Sequence, residues 1–232
     1  MDSASGDPLA GLLHDLQGTF GPRLNAFVTY GHEGTTPLSS LAIVESLTHE
    51  DLSACARHAK SWHGNGAATP LILTRDEFAG SLDAFPIEYG EILDTYRLLH
   101  GADPFTGLAI RPEDLRRACE GLAKSHLLHL RENYMDGSAR PAAVSALVAE
   151  SAPAFATLLR RLARLDGSQA STPLELGRYA ASRPGLDARI VGDVFALGAS
   201  GDASGVDPLR LFPEYLAAAE QLARFVDAWR ET

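Results

Sequence analysis

Residues 24–45 read LNAFVTYGHEGTTPLSSLAIVE. An apolar run closes at Tyr30, Gly31 opens a loop of turn formers, and a second apolar run starts after Pro37. Short apolar runs bounded by Gly and Pro have strand chemistry. The spacing therefore predicts strands over 24–30 and 38–44, joined by a polar loop. Residues two apart on a strand point to the same face, so Ser40 and Ala42 are expected side by side.

Working outward, residues 8–17 predict a helix with Leu9, Leu12, Leu13 and Leu16 on one face. Asp7 is placed to cap it and Pro8 suits its first turn. Residues 48–62 predict one helix capped by Thr48, stopped by Gly64-Asn65-Gly66. A short strand is expected over 70–73, followed by a helical turn capped by Thr74. Residues 84–88 and 96–99 read as further strand segments.

Beyond residue 107 the pattern changes. Helices are predicted over 112–134, 141–165, 173–181, 186–197 and 208–229, separated by breaks rich in Gly, Pro, Ser and Asp. The expected fold class is α+β. A small mixed-sheet domain over 1–106 is followed by an all-α helical bundle over 107–232. No internal repeat is evident.

The net charge of −10 is uneven. Residues 1–106 hold 14 acids and 5 bases, whereas residues 107–232 hold 16 acids and 15 bases. An acidic first half repels phosphate backbones, which argues against DNA or RNA as the main partner. No uninterrupted run of 18 apolar residues occurs, so no membrane-spanning helix is expected. The first residues carry acid where a secretory leader needs base. Cys55 and Cys119 fall in different elements and are too few for a disulfide scaffold. A cytoplasmic protein with reduced thiols is the expectation.

The stretch 24–45, with the later segment DAFPIEYGEILDTYRLLHGADPF, resembles the nucleotidyltransferase superfamily, the group that includes DNA polymerase β and the kanamycin nucleotidyltransferases. The resemblance implies a small α/β domain followed by a helical bundle. Its signature is a strand, Gly-Ser, a loop and a second strand bearing Asp-x-Asp, with a third carboxylate from a neighbouring strand. Those carboxylates hold the divalent ions that nucleotidyl transfer uses. Carried over, Gly31 matches the family glycine and His32 stands in the place of the serine. Ser39 precedes the ligand pair. Ser40 and Ala42 stand where the two aspartates should be, and Glu88 matches the third carboxylate. Losing a supporting partner alone costs roughly 10–100-fold in metal affinity, and losing two liganding anions costs more. The resemblance thus implies a degenerate member without metal-dependent transfer. Gly31, His32, Ser39, Ser40, Ala42 and Glu88 would form a vestigial or ligand-binding site. No metal ligand and no cofactor is expected, Mg²⁺ entering only if the site is rebuilt. Such a rebuilt site, in an active nucleotidyltransferase modifying a small molecule or protein, would use His32, Glu33, Asp83 and Glu88. An ordinary hairpin loop without this ancestry is the third reading.

Arg117, Lys124 and Arg131 are seven apart on the 112–134 helix and form one basic stripe. The stripe is a candidate phosphate-binding surface, set against a solvated face in which Glu120 supports Lys124. His126 and His129, and Cys55 and His58, each supply only two donors where structural zinc wants four, and read as ordinary helix residues. The expected partners are a nucleotide-like small molecule or a protein, with a homodimer open through the apolar stripe of the last helix.

Overall fold

The computed structural model describes residues 8–31, 37–137, 140–200 and 205–230. The fold is mixed α/β, a four-stranded sheet accompanied by helices. The chain divides into two compact units, Met1–Ile110 and Arg111–Thr232.

In the first unit the order is α1 (Pro8–Phe20), β1 (Leu24–Tyr30), β2 (Ser39–Val44), α2 (His49–Ala56), α3 (Ala59–Gly64), β3 (Leu71–Thr74), α4 (Arg75–Gly80), α5 (Pro86–Thr95) and β4 (Arg97–Gly101). The strands lie in the order β3-β2-β1-β4. β1 pairs antiparallel with both β2 and β4, and β2 runs parallel to β3. In the central register Thr29 faces Ser40 and Phe27 faces Ala42. Both faces of this pair are covered. On one, Phe27, Ala42 and Val44 meet Leu12 and Leu16 of α1, Cys55 of α2 and Trp62 of α3. On the other, Val28, Leu41 and Ile43 meet Phe78 of α4, Ile92 of α5 and Phe105. A strand buried on both faces reads as a near-continuous apolar run, and that is the composition of LSSLAIV.

Two expectations are corrected here. Residues 84–88 are not a strand: Pro86 opens α5, and Glu88 lies in its first turn. Proline's fixed φ suits that position, and an acid there favours the positive end of the helix. The single helix expected over 48–62 is two. Thr48 caps α2 through a box with Asp51, and the chain then breaks at Arg57 and His58 before α3. The break goes with a tertiary bond: buried Trp62 donates its indole N–H to Asp15 Oδ2 of α1 at 2.9 Å. Asp51 also receives a two-pronged bond from Arg23 at 2.7 and 2.9 Å. Arg23 is the main force holding that carboxyl well below the usual carboxylate range. The cap proposed at Asp7 lies outside the described residues.

The second unit holds α6 (Pro112–Asp136), α7 (Pro141–Leu165), α8 (Pro173–Ser182), α9 (Ala188–Ser200) and α10 (Pro208–Ala228). α7 is long and apolar enough, by length and composition, to cross a membrane. Its place explains the composition: it packs against α6, α8, α9 and α10. Pro153 lies inside α7 and has no N–H to give the carbonyl four residues back, at Ala149. α9 comes close at this point through Gly198, where an added Cβ would lie 2.6 Å from Ala152 Cβ. Asp166, just past α7, accepts from Tyr179 Oη at 2.9 Å, Trp229 Nε1 at 3.0 Å and Arg183 Nε at 3.0 Å. One carboxylate thus ties the ends of α7, α8 and α10.

Gly198→Ala is expected to destabilise the protein by about 1–3 kcal/mol, because α9 must move away from α7. Gly177→Ala in α8, where a Cβ meets nothing within 4 Å, is expected to gain up to about 1 kcal/mol through helix propensity. Urea unfolding of the two variants beside the parent checks the contrast.

Candidate functional site

Ser40 and Ala42 do share a face of β2, but the face is closed. They are 1% and 0% exposed, and Ala42 is packed among the apolar side chains under α1, α2 and α3. Ser40 Oγ is buried without a hydrogen-bond partner among the described residues. Ser39 points the other way and is half-buried, its carbonyl accepting from Thr29 Oγ1 at 3.0 Å. Gly31 adopts φ +107, which favours glycine, and donates its N–H to Thr95 Oγ1 at the end of α5. Glu88 is exposed on α5, the helix whose Ile92 covers the opposite face of the sheet. Glu88 is therefore not brought together with Ser40 and Ala42. His32 and Glu33 lie outside the described residues.

The basic stripe on α6 meets carboxylates at every step. Arg117 pairs with Asp114, which Arg111 Nε also reaches at 2.6 Å. Lys124 pairs with Glu120 of its own helix and with Asp227 of α10 at 3.1 Å. Arg131 pairs with Glu220 of α10 at 2.7 Å. The stripe runs along the seam between antiparallel α6 and α10, and each cation already has an anion in place.

A different constellation emerges on another face of α6. Leu122, His126 and Leu130 recur at intervals of four and look toward α7, where Leu147, Ser151 and Ala154 recur at intervals of four and three. A cavity of about 310 Å³ lies between them. His126 is 7% exposed and Tyr215 of α10 is fully buried. His126 Nε2 lies 2.8 Å from Tyr215 Oη, which lies 3.1 Å from Ser151 Oγ. Ser151 Oγ donates to the Val148 carbonyl at 3.0 Å. The aromatic ring of Phe155 stacks near the imidazole, with centroids 5.9 Å apart. Burial, joined by the neighbouring His129, pushes the His126 imidazole down to about 4. Burial also raises the Tyr215 phenol. At neutral pH both groups are uncharged, as a buried relay of this kind requires.

In the sequence alone His126 reads as an ordinary helix residue. The available signal was its place: the one polar position in the Leu122–His126–Leu130 stripe. Its partner Tyr215 is 89 positions away, and no local pattern connects them. Among the described residues no group of three His, Cys, Asp or Glu side chains is arranged to hold a metal ion. The chain matches no protein-family model and none of the curated proteins with which it was compared.

Ser40→Ala is expected to be neutral or to stabilise by about 1 kcal/mol, since it removes a buried hydroxyl that bonds to nothing described. Ala42→Asp is expected to cost about 4 kcal/mol or more, because it buries an unpaired charge. Chemical denaturation of both variants, with and without Mg²⁺, checks this; Mg²⁺ should not rescue Ala42→Asp.

His126 also sets a pH dependence. Its folded pKa lies below its ordinary value of 6.5, so between about 6.5 and about 4 the unfolded chain binds the extra proton. Its contribution is fully present above pH 6.5 and is lost as the pH falls toward 4, by about 3 kcal/mol in total. Urea midpoints at pH 7 and pH 4.5 should fall more steeply in the parent than in His126→Gln.

Proposed function

We propose that this chain is a nucleotidyltransferase-like cytoplasmic protein that performs no metal-dependent transfer and keeps a binding role, toward a nucleotide-like small molecule or a protein. The observation that carries the reading is the burial of Ser40 and Ala42. Nucleotidyl transfer needs clustered carboxylates to place divalent ions beside a triphosphate. At the two strand positions that the resemblance assigns to those carboxylates, this chain has neutral side chains sealed in the interior. The candidate third carboxylate, Glu88, belongs to a helix covering the other side of the sheet. These residues do not fit Mg²⁺, and no step of chemistry runs through it.

The same reasoning separates phosphate binding from the stripe of Arg117, Lys124 and Arg131. A phosphate arriving there has to displace Asp114, Asp227 and Glu220. Two free, buried thiols, Cys55 and Cys119, accord with a reducing compartment. Burial pushes the Cys119 thiol up to about 12, so it is inert as a nucleophile.

Calorimetric titration with ATP is expected to give the same result with and without Mg²⁺, and none of the four ribonucleotides is expected to yield pyrophosphate with Mg²⁺ or Mn²⁺. Tight, Mg²⁺-dependent ATP binding overturns the reading.

A further inference from the structure

The direction of each hydrogen bond in the bundle relay follows from which groups have protons to give. The Val148 carbonyl can only accept, so the single hydroxyl proton of Ser151 goes to it. Ser151 Oγ then accepts from Tyr215 Oη, 3.1 Å away. That bond uses the only proton of the phenol. Tyr215 Oη must in turn accept from His126, so His126 carries its proton on Nε2. Its other ring nitrogen, Nδ1, is left with a lone pair, the side chain's hydrogen bond among the described residues being the one through Nε2.

The surroundings of that nitrogen define a site. His126 is more than nine-tenths buried and lines the cavity between α6 and α7. The rim is polar, with Ser125, Asn133 and Glu150. Glu150 is a carboxylate with no ion-pair partner among the described residues. No Lys or Arg lines the cavity, and its second histidine, His129, lies 3.6 Å from the Glu132 carboxylate, which disfavours an anion. Leucines make up its walls. A volume near 310 Å³ is at the small end of ligand sites, suited to a fragment-sized molecule.

We infer that this cavity binds a small organic amine, its ammonium group donating to His126 Nδ1 and to the Glu150 carboxylate while its apolar body lies against Leu122, Leu130 and Leu147. The ammonium has three donors and no acceptor, which matches a site that presents acceptors. Tyr215 and Ser151 are positioning residues: by claiming the Nε2 proton they keep Nδ1 free to accept. The inference concerns the bundle alone and is independent of whether the α/β unit performs transfer.

The test uses the full chain with labelled histidine and nitrogen NMR. The expected spectrum shows His126 protonated on Nε2 and bare on Nδ1. Phenethylamine, as the probe, is expected to shift the Nδ1 resonance saturably, while hydrocinnamate, of similar shape with a carboxylate in place of the amine, is not. His126→Gln keeps a donor toward Tyr215 but has no acceptor at the Nδ1 position, its carboxamide oxygen lying elsewhere, and should weaken phenethylamine binding about tenfold or more. His126→Asn, which restores an oxygen near the Nδ1 position, should recover part of it. A proton on Nδ1 in the unaltered protein, no saturable response to phenethylamine, or equally tight binding of hydrocinnamate overturns the inference. If the variants fail to fold, the tautomer and the amine–carboxylate comparison on the unaltered protein still decide it. Mg²⁺-dependent ATP binding would count against the proposed function and leave this site untouched.

Discussion

The β1–β2 pair is closed on both faces, and the rest of the first unit is arranged to close it. Helices α1, α2 and α3 bring Leu12, Leu16, Cys55 and Trp62 to one side, and α4 and α5 bring Phe78 and Ile92 to the other. Each fully buried aliphatic or aromatic side chain contributes about 1.5–3 kcal/mol relative to exposure. An ionised carboxylate on either face would have to be desolvated against that packing. The neutral side chains at Ser40 and Ala42 are therefore what the packing demands. The same packing leaves no open face on this strand pair among the described residues.

The second unit solves a different problem with the same physics. α7 touches four helices and so presents apolar residues over a broad arc. Polar groups that remain in its neighbourhood have to be satisfied, and the His126–Tyr215–Ser151 relay does this by ending on the Val148 carbonyl of α7 itself. Asp166 does the same at the far end of the helix, where burial raises its carboxyl and the bonds from Arg183, Trp229 and Tyr179 together bring it below its ordinary range.

Much of the framework is legible in the amino-acid order because it rests on local rules. Residues 24–30 and 39–44 show their strands through apolar runs between Gly and Pro, and the period of two places Ser40 beside Ala42. Thr48 and Thr74 announce their helices by capping chemistry. What is not legible depends on distant partners. Nothing near Ala42 tells that Leu16 and Trp62 will cover it. The short apolar segment AFPI around Glu88 has strand chemistry, although Pro86 and the spacing of Tyr89, Ile92 and Leu93 carry a helical period. The stripe of Arg117, Lys124 and Arg131 is correct as a stripe, but its anions come from Asp227 and Glu220 on another helix. His126 and Tyr215 find each other only through the bundle.

The pairing of Lys124 with Asp227 and of Arg131 with Glu220 repeats after seven residues on both helices, in opposite directions. Exposed ion pairs of this kind contribute about 1 kcal/mol or less each. Their matched spacing nevertheless works as a vernier. If α10 slid along α6 by one turn, about four residues, Lys124 would come to face the neighbourhood of Arg224 and Arg131 would face the apolar side chain of Leu216. Two weak contacts thereby hold the antiparallel helices at one setting. In the same packing, Tyr215 Oη lies 2.8 Å from His126 Nε2.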